Sequence, residues 1–134
     1  MAADGLTTIA SALGPAETVS RFEAAIAQKG MTLFARIDHA AGAAEIGLSL
    51  RPTVLLIFGN AKAGTPLMQQ DQTIGIDLPL KALVWQDPAG QTFLSYNEPR
   101  WLAQRHGLDA GLQGPIDAMT AGLAALARQA TTAP

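Results

Sequence analysis

Thr53-Val54-Leu55-Leu56-Ile57-Phe58-Gly59-Asn60-Ala61-Lys62-Ala63-Gly64-Thr65-Pro66 lies near the middle of the chain and decides how the rest is read. Its first six residues are an unbroken apolar and β-branched run, which predicts an interior strand buried on both sides. Gly59 to Gly64 reads as a glycine-rich loop. Thr65-Pro66 then reads as a helix start: threonine caps, and proline at the first helical position lacks an N–H that no helix would use there. That helix is expected to run to about Gln72. Strand, loop and helix in this order are the unit of a layered protein of sheet and helices.

Working toward the N-terminus, Arg51-Pro52 ends the preceding element, because proline pushes the residue before it into extended geometry. Asp38 reads as the N-cap of a short helix from His39 to about Gly47. Met31 to Ile37 alternates and predicts a strand with both faces at least partly covered. Val19, Phe22 and Ile26 have helical spacing within a helix from Thr18 to Lys29. Ser20 with Glu23 forms a capping-box pattern, Thr18 is a competing N-cap, and Gly30 fits the left-handed position past the end. Leu6 to Ala10 is a first short strand.

Working toward the C-terminus, Leu80 to Gln86 and Gln91 to Tyr96 are two strands joined by Asp87-Pro88-Ala89-Gly90, whose residues suit a type I turn, so a hairpin is expected. Pro99 to His106 is a short helix stopped by Gly107. A last helix, about 115–130, carries one apolar stripe of Ile116, Met119, Leu123 and Leu126. Ala130 to Pro134 is expected to fray. The fold class expected is α/β (α+β): a single compact domain over residues 1–134, with a mixed β-sheet of about five strands covered by helices.

Composition narrows the function. The 134 residues are 49% hydrophobic and 15% charged, with a net charge of −2, so most of the chain is no disordered tail. There is no basic excess with which to neutralise many phosphates, so no nucleic-acid partner is expected. Cysteine is absent, which excludes disulfides, thiolate metal sites and cysteine nucleophiles. The apolar run from Val54 to Phe58 falls far short of the ~20 residues that span a bilayer, and Met1 to Ser11 lacks the basic and apolar regions of a signal peptide. The expectation is a cytoplasmic protein with no membrane partner, with the reservation that the Met1-Ala2-Ala3-Asp4 start could follow a trimmed leader.

The sharpest candidate site is the segment Gly59 to Pro66. Open backbone N–H groups and a helix dipole would hold an anion there, with Lys62 adding charge. The Gly59–Gly64 spacing matches the first glycines of a phosphate loop, but Thr65 stands where that loop needs lysine and Pro66 removes an N–H, so nucleotide triphosphate hydrolysis is not expected. The plain alternative is a tight connection whose glycines serve the backbone alone. A second candidate is Asp38-His39, an acid–base or ligand pair if the backbone bends; otherwise Asp38 is simply a cap and His39 an exposed first-turn residue. Asp38, His39, Asn60, Lys62, Gly64, Thr65 and Asp77 are thus the expected ligand-binding set if the strand ends converge. His39 and His106 stand in no metal-ligand spacing and no metal site is expected, although an oxygen-ligand set from Asp38, Glu45, Asp71 or Asp77 stays open without a calcium-loop pattern, and the cofactor is unknown. No G-x-S-x-G nucleophile is present. Arg51 and Arg100 are expected to meet carboxylates such as Asp77 or Glu98, or to face a carboxylate ligand. Trp85 and Trp101 are read as core or dimer contacts.

Several segments carry a resemblance in the right order. They are Arg36-Ile37-Asp38-His39-Ala40-Ala41-Gly42-Ala43, Leu50-Arg51-Pro52-Thr53, Phe58 through Met68, Gly75-Ile76-Asp77-Leu78-Pro79-Leu80, and Ser95-Tyr96-Asn97 with Leu102 to Leu108. The chain resembles the domain-of-unknown-function family 302 over about residues 6–108. Ala61 departs from it, since the family pattern there has proline. The resemblance implies a compact α/β domain with a mixed sheet, often a homodimer, in bacteria and archaea, and no settled activity. The function expected is an uncharacterised small homodimeric domain that binds a small anionic or amphipathic ligand near the Gly59–Pro66 loop. The alternatives are an enzyme using His39 as acid or base with Lys62 and the loop amides, or a purely structural or interaction module.

Overall fold

The chain folds as five strands and five helices in a computed structural model that describes residues 3–134; the reading of the Met1-Ala2 start lies outside them. The order is β1 (Leu6–Ala10), α1 (Pro15–Gln28), β2 (Thr32–Asp38), α2 (His39–Glu45), β3 (Thr53–Gly59), α3 (Ala61–Gln70), a 3-10 turn (Gln72–Ile76), β4 (Leu80–Gln86), β5 (Thr92–Asn97), α4 (Pro99–Arg105), a second 3-10 turn (Ala110–Leu112) and α5 (Gln113–Thr131).

The strands form one sheet in the order β1-β5-β4-β3-β2. The α/β class and the five strands agree with the sequence reading, but all four pairings are antiparallel where mixed directions were expected. The reason is where the crossover lands. α1 carries the chain from β1 at one edge to β2 at the other, so these two strands never pair. From β2 onward each strand folds back beside the last, and successive neighbours run in opposite directions.

Alternation along the strands separates two faces. Leu56, Ala82 and Tyr96 lie in one cross-strand row, and Val84 and Leu94 in the next. These side chains, with Phe22 and Ile26 of α1 and Leu123 and Leu126 of α5, form the main core. Phe22 meets Phe58 edge-on with ring centroids 5.1 Å apart, a favoured aromatic geometry. The opposite row runs Ile37, Leu55, Leu83, Ser95, Thr8, and none of these belongs to a buried core cluster. β3 is therefore interior to the sheet as expected but buried on one face only. β2, expected to be covered on both faces, is an edge strand with most residues exposed.

Helix boundaries follow local chemistry with informative exceptions. Lys29 ends α1, and the amides of Gly30 and Met31 return to the carbonyls of Ala27 and Ile26 at 3.0 and 3.1 Å, with Gly30 at φ 71°, the expected left-handed finish. The start of α1 differs. Pro15 occupies its first turn, so the helix begins three residues before the predicted Thr18. Thr18 is instead buried inside it, its hydroxyl 2.8 Å from Ser11 Oγ and 2.8 Å from the Gly14 carbonyl. Glu23 pairs with Arg36 across to β2 rather than closing a capping box. Of the tail expected to fray, the first two residues are held: Ala130 and Thr131 are buried, and the Thr131 carbonyl accepts from the Ala12 amide at 2.8 Å, while Thr132 to Pro134 lie exposed past the helix.

Candidate groove at the start of α3

The largest difference from the sequence reading falls on the central segment. The glycine-rich stretch is not a loop. Asn60 is the N-cap of α3, its Oδ1 accepting from the Ala63 amide at 2.7 Å, and the helix begins at Ala61. Asparagine is among the best capping residues, and Ala61-Lys62-Ala63 is a strong helical opening. Thr65 is therefore no cap but an exposed helical residue, and Pro66 lies inside the helix. Proline at this position removes the N–H that would have reached the Lys62 carbonyl. Gly64 and Leu67 are the residues that α3 buries, so packing of that face outweighs the local Thr-Pro signal.

This placement removes the anion cradle in its expected form. Ala63 donates to Asn60 Oδ1, and Gly64 donates to the Asn60 carbonyl at 3.3 Å. The amides just ahead of Pro66 are thus satisfied within the segment. The amides that a helix leaves without an internal acceptor are those of its first residues, here Ala61 and Lys62.

Two adjoining hollows flank this helix start. One, of about 270 Å³, is lined by Phe34, Asn60, Gly64, Met68, Leu78 and Met119 among others. The other, of about 300 Å³, is lined by Met31, Lys62, Pro66, Pro115, Met119 and Leu123 among others. Gly59, Asn60, Ala63, Leu80 and Met119 border both, so the two form one groove between α3 and α5 across the ends of β3 and β4. Its walls are almost wholly apolar. Three methionines contribute, and unbranched thioether side chains adapt to varied apolar shapes. Lys62 is the one charged residue among the lining residues, is exposed, and forms no salt bridge among the described residues.

The seven expected site residues divide among three places. Asn60, Lys62 and Gly64 border the groove; Thr65 sits beside them on α3 without lining it. Asp38 pairs with Val54 at the opposite end of β3, roughly 20 Å from Asn60 at the rise of a strand. There Asp38 caps α2, accepting from the Ala41 amide at 2.9 Å, and His39 is the exposed first residue of that helix. The strand ends do not bring these two to the groove, which leaves His39 no geometry for acid–base work beside Lys62.

Asp77 lies in a polar cluster of its own. Arg105 reaches both its oxygens at 3.0 and 2.8 Å, and His106 Nε2 lies 2.5 Å from Oδ2. His106 Nδ1 is 2.9 Å from Thr73 Oγ1, and the Thr73 hydroxyl donates to Asp71 Oδ1 at 2.7 Å. Hydrogen bonds from the Thr73 side chain and amide hold the Asp71 carboxyl below the usual range. The His106 side chain is only 8% exposed with both ring nitrogens engaged, so neither is open to a substrate. The cluster fastens the 3-10 turn to the end of α4. Nothing in the sequence beyond histidine's rarity singles out His106, since its partners come from 29 and 33 positions away. Arg51 donates to the Gln86 carbonyl at 3.0 Å and meets no carboxylate among the described residues, whereas Arg100 meets one as expected, Asp117 at 3.0 Å in place of the examples Asp77 or Glu98.

Comparison with known proteins sets this geometry in context. A family model described as "Domain of unknown function DUF302" matches residues 7–126, taking in α5 as well as the motif region. The Fluoride-specific ion channel FluC 1 of Brucella suis is 48% identical over 126 residues, 94% of this chain and 50% of that protein. The Fluoride-specific ion channel FluC 2 of Brucella melitensis is equally similar, with 47% of its length covered. The chain thus spans about half the length of the curated relatives it matches. No helix among the described residues is long and apolar enough to cross a membrane. Among solved structures, the crystal structure of an uncharacterized conserved protein DUF302 from Bacillus stearothermophilus aligns with a TM-score of 0.84, covering 96% of this chain and 99% of that one at 24% identity. That likeness is one of fold.

Proposed function

Since the chain belongs to the family described as Domain of unknown function DUF302, whose name carries no activity, we propose that it is a small homodimeric domain, as the family resemblance implies, and that it binds an amphipathic ligand in the groove at the start of α3. The observation that carries this reading is an almost wholly apolar groove with a single unpaired lysine at its margin. Small-molecule sites are mostly apolar concavities in which a few polar groups fix orientation. The hollows of about 270 and 300 Å³ lie at the lower end of the usual size for such sites. An apolar body would lie against Met68, Leu78 and Met119, and an anionic head would lie at Lys62. A small bare anion is the poorer fit, because the amides nearest Pro66 are already used and an apolar wall gives a desolvated charge no partner.

The test is a thermal-shift comparison of decanoate, decanol and inorganic phosphate. Decanoate is expected to raise the melting temperature most, decanol less and phosphate not at all, since a ligand of the native state at free concentration c stabilises it by RT ln(1 + c/Kd), which grows with affinity at a fixed concentration. Lys62→Met should bring the decanoate response down to that of decanol. A phosphate response equal to that of decanoate, or no response to either amphiphile, overturns the reading.

A further inference from the structure

We propose that Met31, Met68 and Met119 form an oxidation site: conversion of these thioethers to sulfoxides by a hydroperoxide shuts the groove to its amphipathic ligand. The inference rests on the groove reading above and adds a control over it. The sequence holds four methionines and no cysteine, so thioethers are the only sulfur this chain offers to an oxidant. Met1 lies outside the described residues. The other three all line the one groove, Met68 in the first hollow, Met31 in the second and Met119 in both. They come from the residue before β2, from α3 and from α5, so only the fold brings them together.

Each is partly buried rather than sealed. Met31 packs against the main core, and Met68 and Met119 against a second cluster of Leu67, Ile74, Leu102 and Ile116. Met68 runs along bare backbone: a Cβ at Gly75 would lie 3.3 Å from its Sδ, and one at Gly64 would lie 3.7 Å from its Cε. Neither residue places a side chain over the thioether. The chemical step is a two-electron oxygen transfer. A sulfur lone pair attacks the terminal oxygen of the hydroperoxide, the O–O bond breaks and an S–O bond forms. The proton of the transferred oxygen passes to the leaving oxygen, which departs as water or an alcohol. Sulfur is oxidised to the sulfoxide and the peroxide is reduced.

The product changes what the groove can hold. A sulfoxide is polar and accepts hydrogen bonds, whereas a thioether is a soft apolar wall. Among the described lining residues only Asn60 and Lys62 carry side-chain N–H groups, and Asn60 is already the cap of α3. Met119 borders the hollow that Lys62 lines, so its sulfoxide competes with an anionic head for the ammonium. A sulfoxide at Met31 or Met68 leaves an acceptor that an apolar body would bury without a partner, which weakens binding by about tenfold or more.

The test treats the protein with hydrogen peroxide, removes the oxidant and titrates decanoate calorimetrically. Peptide mass spectrometry is expected to find one added oxygen at each of Met31, Met68 and Met119. Decanoate affinity is expected to fall about tenfold or more with native circular dichroism retained, and methionine sulfoxide reductases for both epimers should restore it. The triple variant Met31→Leu, Met68→Leu, Met119→Leu keeps Met1 and is referred to its own untreated affinity. Peroxide should leave that within about twofold, since leucine of similar volume holds no sulfur. If the variant does not fold, the reductase rescue of wild type decides alone. Unoxidised groove methionines, unchanged affinity after oxidation, lost circular dichroism, failed rescue, or an equal loss in the triple variant each overturns the inference while the groove reading stands. Untreated wild type that does not bind decanoate overturns the groove reading and this inference with it.

Discussion

Gly64→Ala separates a helical reading of the central segment from a loop reading by the sign of one stability change. Gly64 lies in the second turn of α3 and is absent from the positive-φ residues. Alanine in a helix interior is more favourable than glycine by about 0.8–1.0 kcal/mol. A Cβ here would lie 3.6 Å from Leu78 Cδ1 and 3.7 Å from Met68 Cε, ordinary contact with no side chain forced to move. A buried methyl adds up to about 0.8 kcal/mol, discounted here because the groove is open on one side. The net expectation is a gain of about 1 kcal/mol, which raises the melting temperature by roughly 3–5 °C for a chain of this length. In urea the midpoint should rise by roughly 0.5 M at unchanged slope. Were the stretch a loop with Gly64 in a left-handed conformation, alanine would cost about 1 kcal/mol or more instead. A midpoint that falls would refute both the helix start at Asn60 and the groove built on it.

Other substitutions probe the remaining joints. Gly5→Ala should destabilise by about 2–4 kcal/mol, because Gly5 has φ +73° and a Cβ would lie 2.2 Å from Trp101 Cγ; a denaturant midpoint within error of wild type would contradict that packing. Asp77→Asn keeps the shape but removes the charge facing Arg105 and His106, with an expected loss of about 1–3 kcal/mol, checked by urea unfolding at pH 7. In acid, Asp71 is held low by its Thr73 hydrogen bonds and Asp117 by Arg100 and Gln113. Their folded values lie below the unfolded ones, so their contribution is complete above about pH 5 and is lost as pH falls through the folded values. Melting temperature followed from pH 7 to 2 should therefore fall below about pH 4, less steeply in Asp71→Asn, and a rise over that interval would contradict the assignment.

Elements whose signals are local were legible in the sequence. β1 spans the residues that its β-branched run predicts, and Asp87-Pro88-Ala89-Gly90 makes the predicted turn, with Gly90 donating to the Asp87 carbonyl at 3.0 Å. Asp38 caps α2 as its position suggests. Where two local signals competed, the choice belonged to packing. Asn60 and Thr65-Pro66 are both good helix starts; the earlier one prevails because it lets α3 bury Gly64 and Leu67. α1 likewise begins earlier than either of its expected caps, with Pro15 in its first turn and Thr18 buried inside it. The candidate site divided for a related reason. Asp38 and Asn60 stand close to opposite ends of one strand, and residue type says nothing about that separation until the register of β2 against β3 is known.

The amino-acid sequence by itself determined the class of the molecule, its five strands and most of its turns, because these follow from side-chain periodicity and from backbone preferences that act over a few residues; its family resemblance was legible in motifs matched in order. Only the tertiary structure decided that every strand pairing is antiparallel, that His106 rather than His39 meets Asp77, and that an apolar groove replaces the anion cradle. Those outcomes depend on which distant segments come together, and the free energy that selects among pairings comes from surface buried across long stretches of chain.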